Sequence, residues 1–174
     1  MKGHDSTRWN CSICGEQHDG LATVFGAQAP DHWLHGTEAE RERGELNADV
    51  CVLEVAGQWH YFLRGHVDIA IIDSPGGVFS WSVWVSVSEK SMRQIAEHWD
   101  DPERAAAAPV FGWLCNELPY EASTLSIATH VHSRAPGIVP FIELDPSVDH
   151  PLVREQAAGM TLHRLAEINR AALG

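Results

Sequence analysis

The sequence has no apolar run approaching the ~18 residues that a membrane span requires, and its opening residues, MKGHDSTRWNC, hold no apolar signal core. A cytoplasmic chain with no membrane partner is therefore expected. Basic residues are scarce: 12 Lys and Arg stand against 24 Asp and Glu, for a formal net charge of −12. A field of that sign repels phosphate backbones and anionic lipid, so nucleic acid is not expected either. A basic protein or a cationic ligand suits the charge, and so does acidity that serves solubility alone. Tyrosine is rare, with two residues against seven tryptophans; the indoles are expected to anchor the core or to line a cleft. Also missing are internal repeats, a G-x-S-x-G elbow, a phosphate loop, a dinucleotide G-x-G-x-x-G and an H-E-x-x-H helix. The reactions most easily read from sequence drop out with them.

What is present describes an ordinary globular chain. At 174 residues, with 44% hydrophobic and 21% charged residues, it can bury one sizeable core. The expected layout is a flexible polar leader over residues 1–8 and a single α+β domain over 9–174, with a metal knuckle at 9–18. The pattern specifies no oligomeric state.

Thr37 and Glu40 form the T-x-x-E signature of a capping box, opening a short charged helix that stops near Gly44. Residues 49–55 and 58–64 read as strands joined by a two-residue hairpin at Ala56-Gly57. A further apolar run, His66 to Ile72, ends at Ser74-Pro75-Gly76-Gly77. Over 78–88, Phe79, Trp81, Val83, Val85 and Val87 alternate with Ser80, Ser82, Trp84, Ser86 and Ser88. Side chains on a strand point to opposite faces, so this strand lays one face on the core and shows a serine ladder on the other. Ser88 is placed to cap a helix with Met92, Ile95, Ala96 and Trp99 on one side.

Residues 110–118 fit a short helix or a buried turn. Residues 124–132 and 138–144 read as strands, Pro151 opens a helix that Gly159 closes, and a last helix over 161–173 turns Leu162, Leu165, Ile168 and Ala172 to the core. Strands in the middle and helices at the flanks predict an α+β fold, a mostly antiparallel sheet with helices packed on one side.

The chemistry is concentrated at the start. Cys11-Ser12-Ile13-Cys14-Gly15 is a C-x-x-C-G turn with His18 three residues beyond the glycine. This spacing sets two sulfurs on one ion, and the glycine accepts positive φ where backbone N–H groups turn toward the thiolates. Zinc in a structural role is the expected cofactor. It takes about four ligands, so a fourth must come from elsewhere. Cys51 leads, giving Cys11, Cys14, His18 and Cys51; His32, His35 and His60 compete, and Cys51 also reads as a small buried apolar residue. A redox role for the pair is the alternative, although nothing before Cys11 resembles the strand that precedes a thioredoxin-like motif.

Eleven histidines are many for this length. His130 and His132 share one face of a strand and would grip a metal with His150 or Asp149 as a third ligand. A solvated histidine face explains the same spacing. His150 and Asp149 also stand where a helix N-cap belongs.

Taken in order, C-x-x-C-G-x-x-H, Asp49-Val50-Cys51, FLRG from Phe62 to Gly65, the strand from Trp81 to Glu89, FGWLCNELP from Phe111 to Pro119 and DHPL from Asp149 to Leu152 resemble domain-of-unknown-function family 2199, an uncharacterised bacterial family. The resemblance covers about residues 9 to 168. It implies that Cys11, Cys14, His18 and Cys51 belong to the pattern, and it brings no activity, ligand or catalytic residue with it. The chain departs at Leu21-Ala22, where the pattern commonly has Leu-Pro. The expectation is a zinc-stabilised protein-binding or adaptor protein, an immunity-type neutraliser of a basic toxin among the versions. The alternative is a zinc-dependent hydrolase or other metalloenzyme.

Overall fold

The computed structural model describes residues 9–11, 14–18 and 20–173; the leader at 1–8 lies outside them. A small hairpin comes first, with β1 (Trp9–Asn10) antiparallel to β2 (Gln17–His18). After β3 (Val24–Gly26) two short helices follow, α1 (Asp31–Leu34) and α2 (Glu38–Arg43). Thr37 and Glu40 close the expected capping box on α2, and Gly44 ends it.

The sheet is then laid down by β4 (Glu45–Leu46), β5 (Val50–Val55), β6 (Gln58–Ala70) and β7 (Val78–Val87). Ala56 and Gly57 both take positive φ, 51° and 76°, as the tight turn between β5 and β6 demands. The runs at 58–64 and 66–72 merge into the one long strand β6. Helix α3 (Glu89–Glu97) starts at Ser88, whose hydroxyl accepts from the Ser91 N–H at 3.0 Å. Strands β8 (Val110–Leu114), β9 (Ala128–His132) and β10 (Phe141–Leu144) and helices α4 (Pro151–Ala158) and α5 (Leu162–Leu173) complete the chain. The segment 110–118, open between helix and turn in the sequence, begins as strand β8.

The fold combines helices with a sheet core, but the sheet does not stay open. β7, β8, β9 and β10 pair in order, β10 pairs with β6, and β6 pairs back to β7, so five strands close into a barrel. The seam is thin. β10 meets β6 in parallel at the single pair Phe141↔His66, supported by the His66 N–H on the Pro140 carbonyl at 2.9 Å. β3 adds to β7 in parallel, while β5 and β4 extend the far side of β6 in antiparallel fashion.

Closure gives the strands an inside. Leu63, Val67 and Ile69 from β6, Phe79, Val83 and Val85 from β7, Leu114, Val131 and Ile142 form one buried cluster. Leu152 of α4 and Leu165 and Ile168 of α5 belong to the same cluster. Ala172, expected on the core side of α5, is exposed.

The serine ladder of β7 also differs from its sequence reading, because the strand is covered on both sides. Trp84 is fully buried in a second cluster with Cys51, Leu53, Phe62 and Cys115, and its indole N–H donates to the Ala27 carbonyl at 3.1 Å. Segment 27–31 supplies that cover. Its Asp31 and Ala29 bind the buried Asn116, whose Oδ1 accepts the Trp84 N–H at 2.7 Å.

Candidate metal centre

The hairpin carrying β1 and β2 is pinned at its turn by two backbone bonds, Cys11 N–H to Glu16 O and Gly15 N–H to Cys11 O, each 2.8 Å. Gly15 has φ +72°, and a Cβ there would meet nothing within 4 Å. The requirement for glycine is thus conformational, not steric. Cys11 is buried and Cys14 exposed. Cys14 Sγ lies 3.5 Å from His18 Nε2.

The contact that sequence reasoning missed comes from the other end of the chain. His163, near the start of α5, places Nδ1 3.3 Å from Cys11 Sγ. The first turn of α5 is fixed by the barrel: Asp73 accepts the Leu162 N–H at 2.8 Å, Thr161 accepts the Arg164 N–H at 3.1 Å, and Ile71 bridges Met160 in parallel. Asn169, buried two turns later, returns the favour to the N-terminal segment. Its Oδ1 accepts the Ala22 N–H at 2.8 Å and its Nδ2 donates to the Ala22 carbonyl at 3.0 Å. Arg170 reaches Glu16 at 3.6 Å. Helix α5 is therefore the bed on which the Cys-x-x-Cys turn lies.

Among the described residues, two groups have ligand atoms within 4.8 Å of one another: Cys11, Cys14 and His163, and Cys14, Glu16 and His18. They share Cys14. Cys51 belongs to neither; it sits fully buried beside Leu53, Phe62, Trp84 and Cys115, where burial pushes its thiol up to about 12. His32 and His60 stack near Phe62 instead, ring centroids 6.4 Å apart, and burial followed by the charge of His60 lowers the His32 pKa.

The remaining candidate histidines are engaged elsewhere. His150 caps α4: Nδ1 accepts the Leu152 N–H at 3.0 Å while Nε2 lies 3.0 Å from the Ala122 carbonyl. Both nitrogens of the buried ring are committed, which removes it as a metal ligand. Asp149 pairs with Arg154 at 2.5 Å. His132 pairs with Glu143 at 2.8 Å, and His130 faces Glu143 across the strands and packs its ring on Phe111.

A cleft of about 780 Å³ opens where β6 and β8 flank the end of β7. Trp59, Phe111 and Trp113 line it, each about half exposed, with the Phe111 and Trp113 rings edge to face at 4.8 Å. Glu89 is the charged side chain at its rim. No helix among the described residues is long and apolar enough to cross a membrane.

A small barrel with helices and a surface cluster of cysteine and histidine donors is the class of protein that these features define. The chain belongs to the family of uncharacterized proteins conserved in bacteria, domain of unknown function 2199, whose pattern matches residues 10–160. No curated protein and no solved structure matches it.

Proposed function

We propose that Cys11, Cys14 and His163 hold one structural zinc ion, with His18, beside Cys14, drawn in as its fourth donor, and that the chain is a protein-binding module of the cytoplasm, not a catalyst. The sulfur–nitrogen distances carry the metal reading. With Zn–S near ~2.3 Å and Zn–N near ~2.1 Å, tetrahedral angles set each S···N edge at about 3.6 Å. The pairs Cys11–His163 and Cys14–His18 stand at 3.3 and 3.5 Å. In this reading His163 takes the place that the sequence offered to Cys51. His18 groups with Cys14 and Glu16 and not with Cys11 and His163, so its ring must swing toward the ion to complete the shell. With it in place four donors leave no position for water or substrate, and the ion clamps the hairpin to α5.

The binding role is supported by two features. Half-exposed indole and phenyl rings around one cleft are the side chains that dominate interface energetics. The net charge of −12 favours a basic protein partner, as an immunity-type protein would meet, over nucleic acid or a membrane surface.

Native mass spectrometry of the wild type and of Cys14→Ser, His163→Ala and Cys51→Ser tests the metal. One zinc in the wild type and in Cys51→Ser, lost from the other two, is the expected result. Zinc lost from Cys51→Ser and kept in His163→Ala would restore the ligand set read from sequence. Zinc kept in His163→Ala and in Cys51→Ser alike would leave the shell open and favour the zinc-dependent hydrolase.

A further inference from the structure

Glu167 stands one turn beyond His163 on α5, its Oε1 3.5 Å from His163 Nε2. The opposite ring nitrogen, Nδ1, faces Cys11 Sγ at 3.3 Å. An imidazole that gives one nitrogen to a metal presents the other as a donor, and a carboxylate on that side selects the tautomer, orients the ring and raises its basicity. Sequence spacing alone does not account for the pair. A histidine placed four residues before a glutamate is the less favourable order along a helix.

Glu167 is itself held from behind. Arg164 Nη1 lies 3.7 Å from Glu167 Oε2, and its Nε lies 2.7 Å from Glu155 Oε1. Glu155 Oε2 accepts the Tyr120 hydroxyl at 2.6 Å, and that hydroxyl accepts the Trp81 indole N–H at 3.0 Å. The guanidinium also lies over the Tyr120 ring, 5.6 Å from its centroid. A chain of polar contacts thus runs from the barrel core to the carboxylate behind His163.

We infer that Glu167 is a positioning residue for the metal centre: it fixes His163 with its Nδ1 lone pair toward the ion, and Arg164 fixes Glu167 against the barrel. This inference rests on the zinc reading above. The test compares wild type, Glu167→Ala and Glu167→Gln by zinc competition against a chromophoric chelator. Long-range ¹⁵N–¹H spectra of His163 and the melting temperature of the metal-free proteins complete it.

Glu167→Ala is expected to weaken zinc binding about 10- to 100-fold and to mix the His163 tautomers. Glu167→Gln, whose amide oxygen can accept an N–H from the ring, should recover part of both. The metal-free melting temperatures should match, because the Glu167 side chain is half exposed. Equal affinity and an unchanged tautomer in Glu167→Ala would overturn the inference while leaving the zinc site standing. A wild type that binds no zinc would overturn the zinc reading itself, and the inference with it.

Discussion

Cys11 Sγ and His163 Nδ1 approach to 3.3 Å although 152 positions separate them in the chain. Between them runs the whole barrel, so the contact joins the hairpin of β1 and β2 to the last helix. A cross-link over so long a loop restrains the unfolded chain more than a local one would. A metal ion bridging this pair would therefore stabilise the protein as a unit, beyond ordering the knuckle.

The thiols should separate by environment. Burial pushes Cys51 up to about 12 and also raises Cys115, whereas Cys14 is exposed. In metal-free native protein at pH 8, iodoacetamide should modify Cys14 first and spare Cys51 and Cys115 until the chain unfolds. Zinc should protect Cys14. Peptide mapping after timed quenching reads the order, and early labelling of Cys51 would contradict its place in the core.

The Asn169–Ala22 bracket should be worth more than a surface contact. Asn169→Ala removes three hydrogen bonds and strands both backbone groups of Ala22. A loss of about 2–3 kcal/mol is expected, read as a lower denaturant midpoint. Ala22→Pro should act in the same direction, since proline has no N–H to give.

Gly65 sits where the barrel interior leaves no room for a side chain. A Cβ there would lie 2.4 Å from Ile142 Cδ1 and 3.1 Å from the Pro140 carbonyl. Ile142 is fully buried. Gly65→Ala should cost about 1–3 kcal/mol by overpacking and should loosen the β10–β6 seam, seen as faster amide exchange at His66. Unchanged stability would mean that the seam yields.

Acid should weaken the fold through two imidazoles. Burial, reinforced by Arg64 and Arg134 and opposed by Asp68, lowers His66; burial and His60 lower His32. A histidine whose folded pKa lies below its unfolded value of about 6.5 binds protons first in the unfolded chain. Its contribution is thus complete above pH ~6.5 and is lost as pH falls from there toward the folded pKa. Metal-free protein should melt at lower temperature as pH drops below 6.5, and a His32→Gln/His66→Gln variant should show a shallower slope. An NMR titration placing either ring at or above 6.5 would exclude that ring's part.

Much of the local structure was legible because it has a local cause. Thr37 and Glu40 close their box within one turn, Ser88 and His150 cap helices at the positions their types suggest, and Ala56-Gly57 turns the β5–β6 hairpin. The alternation of β7 was also legible, but its outcome was not. Trp84 interrupts the polar face, which signals a second buried side, yet only segment 27–31 shows what covers it. At the site, Cys11, Cys14 and His18 share one hairpin and can be read together. His163 lies just off the core face of the last helix, and no spacing links it to residue 11.

By itself, then, the sequence determined an acidic α+β chain, most of its caps and turns, its family, and a thiol pair set to take a metal. Each of these depends on neighbours a few positions apart or on composition. The tertiary structure decided that the sheet closes, that β7 is buried on both sides, that Cys51 lies in the core, and that His163 meets Cys11. Those outcomes depend on contacts between distant segments, where one backbone pair at the β10–β6 seam or one helix docked on the barrel sets the geometry and leaves no periodic trace in the chain.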